Sequence, residues 1–172
     1  TPIEELLPVE MEVKGKQQLP SLGLVIVLDR SGSMMGPKIE LAKEAAARSV
    51  ELLRDGDTLG FIAFDDRPWE IIETKPLDNK EEAVNTILSI APGGGTEIYS
   101  SLAMAYENLA DLQLQRKHII LLTDGQSYTN SSYEDLIEEG KESNITLSTV
   151  AIGSDADAGL LEMLSELGSG RF

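Results

Sequence analysis

The sequence predicts an α/β fold: a doubly wound, mostly parallel central sheet with one antiparallel edge strand and helices on both faces. Three observations carry that expectation. The runs Leu24-Val25-Ile26-Val27-Leu28 and Ile119-Ile120-Leu121-Leu122 are continuously apolar and too short for helices, so they read as strands covered on both sides. Helical periodicity returns between the strand-like runs, which is the alternation that builds a parallel sheet. The one short link, Asp65-Asp66-Arg67-Pro68, joins two strand-like runs that only an antiparallel hairpin can connect.

Each element has a local reason. Residues 1–20 read as a connector punctuated by Pro2, Pro8 and Pro20, with a short strand near Val9 to Val13; residues 21–172 read as the domain proper. The first buried strand ends at Asp29, and a Gly/Ser turn follows. Pro37 opens a helix over 38–54, whose Ile39, Ala42, Ala46, Ser49 and Leu53 share one face until Gly56 breaks it. Strands at 58–64 and 69–74 form the hairpin, the second at a sheet edge. Asn79 caps a helix running through Ala83, Val84, Ile87 and Leu88. After Pro92-Gly93-Gly94-Gly95-Thr96, a helix over 98–112 buries Leu102, Ala105, Tyr106 and Leu109. The second buried strand, 117–123, ends at Asp124-Gly125. Helices at 133–142 and 158–167 flank a strand at 145–152, and Arg171-Phe172 reads as the beginning of a last strand.

Composition narrows the function. The 172 residues suit one domain, and a hydrophobic fraction of 41% suffices for a core. Thirty acidic residues against fourteen basic ones give a net charge of −16, which argues against nucleic acid and against an anionic membrane face as partners. The same excess suits divalent cations, although a solvated acidic surface is the ordinary meaning of such a balance. The absence of cysteine removes disulfides, thiolate nucleophiles and zinc–thiolate sites. No apolar run approaches a membrane span, so no direct membrane insertion is expected of this segment. The start lacks a signal-peptide pattern and the chain does not begin with Met, which suggests a segment of a longer protein.

In doubly wound folds, sites form beyond the carboxyl ends of the strands. Three loops expected there carry small oxygen-bearing side chains: Asp29-Arg30-Ser31-Gly32-Ser33, Gly94-Gly95-Thr96-Glu97 and Thr123-Asp124-Gly125. They offer carboxylates and hydroxyls with no imidazole or thiol, an all-oxygen set of the kind hard divalent cations take. Alternate spacing lets a tight turn aim Asp29, Ser31 and Ser33 at one point.

These three fragments resemble the von Willebrand factor type A domain, a Rossmann-like family that includes the integrin inserted domains. Its metal-ion-dependent adhesion site has an Asp-x-Ser-x-Ser stretch, a Thr from a second loop and an Asp from a third. The matching positions are Asp29, Ser31, Ser33, Thr96 and Asp124, in the same chain order. The run Met34 to Lys43 looks like the bacterial members in particular. The resemblance implies that both Ser and the Thr donate hydroxyl oxygens to a metal, with Asp29 and Asp124 acting directly or through water. It implies Mg²⁺, with Mn²⁺ or Ca²⁺ as substitutes, and a protein ligand whose carboxylate completes the shell. It also implies no enzymatic activity and a membrane-tethered bacterial parent, and in integrin relatives the final helix moves with ligand.

Local alternatives stand beside each site residue. Asp29 suits a turn or cap, Thr96 a cap for the following helix, and Asp124-Gly125 an ordinary turn. Glu97 suits its helix's first turn. Asp65 and Asp66 are read first as a hairpin turn and second as an acidic rim, His118 as structural, Trp69 as packing, and Met34 with Met35 as adaptable apolar contact beside the metal loop. The main rival is an aspartyl phosphatase of the haloacid dehalogenase type. That chemistry needs a second acid two places after the first, where this chain has Ser31. No Gly-Lys-Ser/Thr follows the triple glycine, so no P-loop is expected. A third alternative is a structural domain with a vestigial metal site.

Overall fold

Residues 21–125 and 132–172 are described by the computed structural model. The expected connector over 1–20, with its short strand, lies outside the described residues. The elements run β1 (Leu22–Asp29), a 3₁₀ turn (Gly32–Met34), α1 (Pro37–Glu51), β2 (Thr58–Phe64), β3 (Pro68–Pro76), α2 (Lys80–Leu88), α3 (Ile98–Ala110), β4 (Arg116–Thr123), α4 (Tyr133–Glu142), β5 (Ile145–Ala151) and α5 (Ala158–Leu167).

The sheet order is β3-β2-β1-β4-β5. β1 pairs in parallel with both β2 and β4, and β5 pairs in parallel with β4. Only β3 runs antiparallel, on the outer side of β2. β1 therefore lies in the middle of the sheet, which explains its unbroken apolar sequence: residues 23–29 are all buried. β3 lies at the edge and is mostly exposed, with Pro68 and Pro76 at its two ends.

Alternation along the central strands sends side chains to two cores. Val25, Val27, Ile119, Leu121 and Leu147 point to the face covered by α3, α4 and α5. Leu24, Ile26 and Leu28 point to the face covered by α1 and α2. Each large aliphatic side chain so buried contributes about 1.5–3 kcal/mol. Helices on both faces of a mostly parallel sheet are the architecture the sequence predicts.

The helix starts follow capping chemistry. Pro37 occupies the first turn of α1, and the Asn79 side chain accepts from Glu82 N–H at 3.0 Å. Asp157 caps α5 by accepting from Leu160 N–H at 3.1 Å. Two expectations need correction. No strand forms at Arg171-Phe172; there is an isolated parallel bridge between Leu147 and Ser169. Ser169 has a left-handed φ of 60°, which breaks the extended run. The helix expected to reach residue 54 ends at Glu51, with two 3₁₀-type bonds, Leu52 N–H to Ser49 O and Leu53 N–H to Val50 O, closing its last turn. His118 is structural as expected: it lies at the far end of β4 from the three loops and bonds the Thr146 hydroxyl at 2.5 Å. Burial pushes its pKa down, and the Arg116 charge adds to that.

Two helical glycines make opposite predictions. A Cβ on Gly140 would stand 2.1 Å from Cε1 of the buried Tyr106 ring, whereas one on Gly159 would meet nothing closer than 3.7 Å. Gly140→Ala is expected to destabilise the domain by about 1–3 kcal/mol through overpacking. Gly159→Ala is expected to be neutral or stabilising by up to about 1 kcal/mol. Urea unfolding of the two variants reads the difference in sign.

Candidate metal centre

Parallel register places the acidic residues. Leu28 of β1 faces Leu122 of β4, so Asp29 emerges beside Thr123, and Asp124 follows one residue on. Both carboxylates are fully buried, with 0% exposure. A buried ionised carboxylate requires partners, and each has them. Asp29 accepts from Ser31 N–H at 2.8 Å and from the Thr123 hydroxyl at 2.6 Å. Thr123 in turn accepts from Gly125 N–H at 3.0 Å, so its single proton is committed to Asp29.

Asp124 accepts from the Ser33 hydroxyl at 2.5 Å, and the Ser31 and Ser33 hydroxyls are 3.0 Å apart. Ser33 gives its one proton to Asp124, and the Ser31 hydroxyl lies against both Ser33 and the Asp29 carboxylate, which it stabilises. Ser31, Ser33 and Asp124 thus meet directly, across a sequence gap of more than ninety residues. Burial pushes the Asp29 carboxyl up; its hydrogen bonds oppose that, and the negative charge of Asp124 adds to it. The site is therefore a knot of oxygens in which two buried carboxylates repel one another.

Thr96 arrives on the second loop. It is buried to 8% exposure, and its hydroxyl makes no hydrogen bond among the described residues. The cap of α3 is Glu97, which accepts from Tyr99 and Ser100 N–H at 3.1 and 2.9 Å, so the capping alternative for Thr96 is overturned and the first-turn reading of Glu97 holds. The loop is joined to the first one by Gly32 N–H donating to Gly94 O at 2.9 Å and Gly93 N–H to Arg30 O at 2.6 Å.

Arg30 and the hairpin acids, which the sequence did not mark as one unit, brace this loop. Arg30 Nε donates to Ala91 O at 2.8 Å, and its Nη1 pairs with Asp65 Oδ2 at 3.1 Å. Asp66 accepts from Gly95 N–H at 2.7 Å, and Asp65 O from Glu97 N–H at 2.8 Å. Gly94 has φ +91°, and a Cβ there would stand 2.8 Å from Asp65 Cβ, so the close approach admits only glycine. Asp65 and Asp66 thus serve both as hairpin turn, where Asp65 Oδ1 accepts from Arg67 N–H at 3.2 Å, and as rim. Trp69 is not the packed residue expected: it is 39% exposed and joins neither core, while Arg67 lies 4.0 Å over its ring and its Nε1 donates to Asp65 at 3.0 Å.

The paired expectation for Met34 and Met35 is corrected. The 3₁₀ turn directs successive side chains about 120° apart, so Met34 enters the core with 0% exposure while Met35 stays 65% exposed. A residue not singled out by sequence, Lys38, reaches the site from α1. Its ammonium is 3.8 Å from Asp124 and 2.7 Å from Asp155. The Asp155 hydrogen bond holds its pKa above the usual lysine range.

The donor set suits a hard divalent cation. It contains oxygens only, and the mutual repulsion of Asp29 and Asp124 is what a cation between them would relieve. Among the described residues no group of three or more acidic or histidine side chains gathers into a cation cage, so any ion here rests on hydroxyls as much as on carboxylates.

Comparison with known proteins bears on the family and the fold. An uncharacterised protein of Synechocystis, sll0103, is 32% identical over 157 residues, which are 90% of this chain and 37% of that protein. An aerotolerance-related membrane protein from Bacteroides fragilis superposes with a TM-score of 0.77 at 17% identity, covering 88% of this chain and 89% of the other. Proximal thread matrix protein 1 from the mussel byssus, with zinc in its metal-ion-dependent adhesion site, superposes with a TM-score of 0.77 at 20% identity, covering 89% and 41%. The chain thus spans little more than a third of the Synechocystis relative's length. The profile of the von Willebrand factor type A domain matches residues 23–172, and the chain belongs to that family.

Proposed function

We propose that this domain binds a divalent cation through Asp29, Ser31, Ser33, Thr96 and Asp124 and uses it to hold a carboxylate of a partner protein, without covalent chemistry. The observation that carries the reading is the direct meeting of Ser31, Ser33 and Asp124 over the buried Asp29. Mg²⁺ is the preferred ion, with Mn²⁺ or Ca²⁺ as substitutes, because the donors are hard oxygens. The zinc-occupied adhesion site of the mussel relative supports a metal at this place in the fold. When bound, the ion supplies a positive charge with an exchangeable coordination position. The chain's residues do the rest: Asp29 is held by Thr123 and Ser31 N–H, Ser31 and Ser33 present neutral hydroxyl oxygens, and with an Asp acting through water the directly bound donors leave the ion's charge incompletely neutralised. A partner's Asp or Glu completes that balance.

A non-enzymatic role fits the same residues. No histidine or thiol stands at the three loops, and Ser31 occupies the place where a phosphatase needs its general acid. Among the described residues no helix is long and apolar enough to cross a membrane. A membrane-tethered bacterial parent is supported by the Bacteroides membrane protein with the same fold.

Calorimetric titration with Mg²⁺ and Mn²⁺ is the first test: saturable heat is expected, lost in Asp29→Asn, and its absence in the unmodified chain would mean a vestigial site. Capture of a partner is expected to collapse with EDTA. Metal-dependent turnover of p-nitrophenyl phosphate, abolished by the same substitution, would instead establish the phosphohydrolase.

Thr96→Ala removes one hydroxyl that bonds to no other described group. It is expected to weaken Mg²⁺ binding about tenfold, roughly 1.4 kcal/mol, while thermal unfolding stays within about 2 °C. Unfolding of that variant would make Thr96 a structural residue. Asp66→Ala frees the Gly95 amide, so hydrogen exchange at Gly95 is expected to accelerate at least about tenfold by local opening. Global stability is expected to change by less than about 0.5 kcal/mol, because Asp66 is exposed.

A further inference from the structure

The cationic group at the rim of the oxygen knot is Lys38, and its placement is built rather than incidental. Its position in the first turn of α1 is fixed by Pro37 and the sharp Gly36, which has φ 87°. Its stem lies against Gly153: a Cβ there would stand 2.5 Å from Lys38 Cε, and Gly153 has φ +90°. A side chain there would press on the lysine stem and would sit at a φ that L residues rarely adopt. The ammonium ends between two carboxylates of different exposure, Asp124 at 0% and Asp155 at 59%. The fields of Asp124 and Asp29 both act on it.

Ser33 donates to the same Asp124 oxygen, Oδ2, that faces Lys38. A divalent ion held by Ser33 and Asp124 would therefore share that oxygen's surroundings with an ammonium group. Two cations on one carboxylate oxygen repel, and the movable one is Lys38, because Asp155 already holds it at the solvent edge at 2.7 Å, against 3.8 Å to Asp124.

We infer that Lys38 is an internal competitor for the cation: it neutralises Asp124 in the metal-free protein and opposes the metal, and Asp155 sets how strongly by drawing the ammonium aside. The inference rests on the metal reading of the site and assigns what tunes its affinity. It concerns residues outside the Asp-x-Ser-x-Ser, Thr and Asp set.

The experiment is calorimetric titration of the whole chain with Mg²⁺ alone, on four forms: unmodified, Lys38→Met, Asp155→Asn and the double variant. Methionine keeps the stem that packs on Gly153. Lys38→Met is expected to bind Mg²⁺ about tenfold more tightly, an effect limited by screening and by the pairing of the ammonium with Asp155. Asp155→Asn is expected to weaken binding severalfold. In the Lys38→Met background the same Asp155 change is expected to do little, because Asp155 acts through the ammonium. Lys75→Met, an exposed position at the far end of β3, removes the same charge as a control and is expected to change affinity less than about twofold at physiological salt.

A readout without metal accompanies these. In EDTA, Lys38→Met is expected to lower the melting temperature, since Asp124 loses its neighbouring charge, and saturating Mg²⁺ is expected to close that gap. Unchanged or weaker Mg²⁺ binding in Lys38→Met, or an equal gain in Lys75→Met, would overturn the role of Lys38 while leaving the metal site standing. No saturable heat in the unmodified chain would overturn both.

Discussion

Two carboxylates with no solvent exposure, one at the end of β1 and one a residue past the end of the neighbouring parallel β4, are the constraint around which this domain is arranged. Removing an ionised group from water costs several kcal/mol even after the protein relaxes. Nothing in the hydrophobic cores offsets that for Asp29 or Asp124, so polar groups must be delivered to them. The delivery comes from everywhere along the chain: a backbone amide and two hydroxyls from the turn after β1, a threonine at the end of β4, and a lysine from α1. Parallel pairing of β1 with β4 makes this economical in geometry, because it brings two strand ends to the same level without any loop having to reach.

The same constraint explains the loops. A site made of short side chains tolerates little displacement, since Ser and Thr cannot extend to follow a moving partner. The loop carrying Thr96 is accordingly tied at Gly93, Gly94, Gly95 and Glu97, to Arg30 on one side and to the β2–β3 hairpin on the other. The third loop is anchored too: Asp157 N–H donates to Asp124 O at 2.7 Å, and the Asp157 side chain caps α5. The backbone of the acidic residue is thus one hydrogen bond away from the start of the last helix.

What was legible in the sequence divides along a physical line. Patterns that repeat within a few residues were readable: unbroken apolar runs for buried strands, helical spacing for the helices, Pro and Asn at helix starts, and the short hairpin link. The three oxygen-rich fragments were readable because each sits at a strand or helix boundary, which the fold class gathers at one end of the sheet. What could not be read depends on contacts between distant segments. Arg30 and Asp66 are ordinary surface residue types whose role exists only once the hairpin stands beside the glycine loop. Lys38 looks like any solvated lysine on a helix until Gly153 and Asp155 are placed against it. Met34 and Met35 are identical in composition, and only the turn geometry sends one inward. By residue type Thr96 suits a cap and Glu97 a first turn, and the extended backbone at residue 97 makes Glu97 the cap instead.

The position of the site within the sheet bears on the kind of work it suits. Asp29 ends the strand that is hydrogen-bonded on both sides, to β2 and to β4, and buried on both faces. Asp124 follows the next strand over. Asp29 is thus carried by the middle strand of the sheet, while Ser31, Ser33, Thr96 and Asp124 stand on the loops that meet at its end. Backbone bonded on both sides is among the last parts of a fold to open, which keeps Asp29 in place. The holding role proposed above draws on that placement of Asp29 and on the loop ties around it.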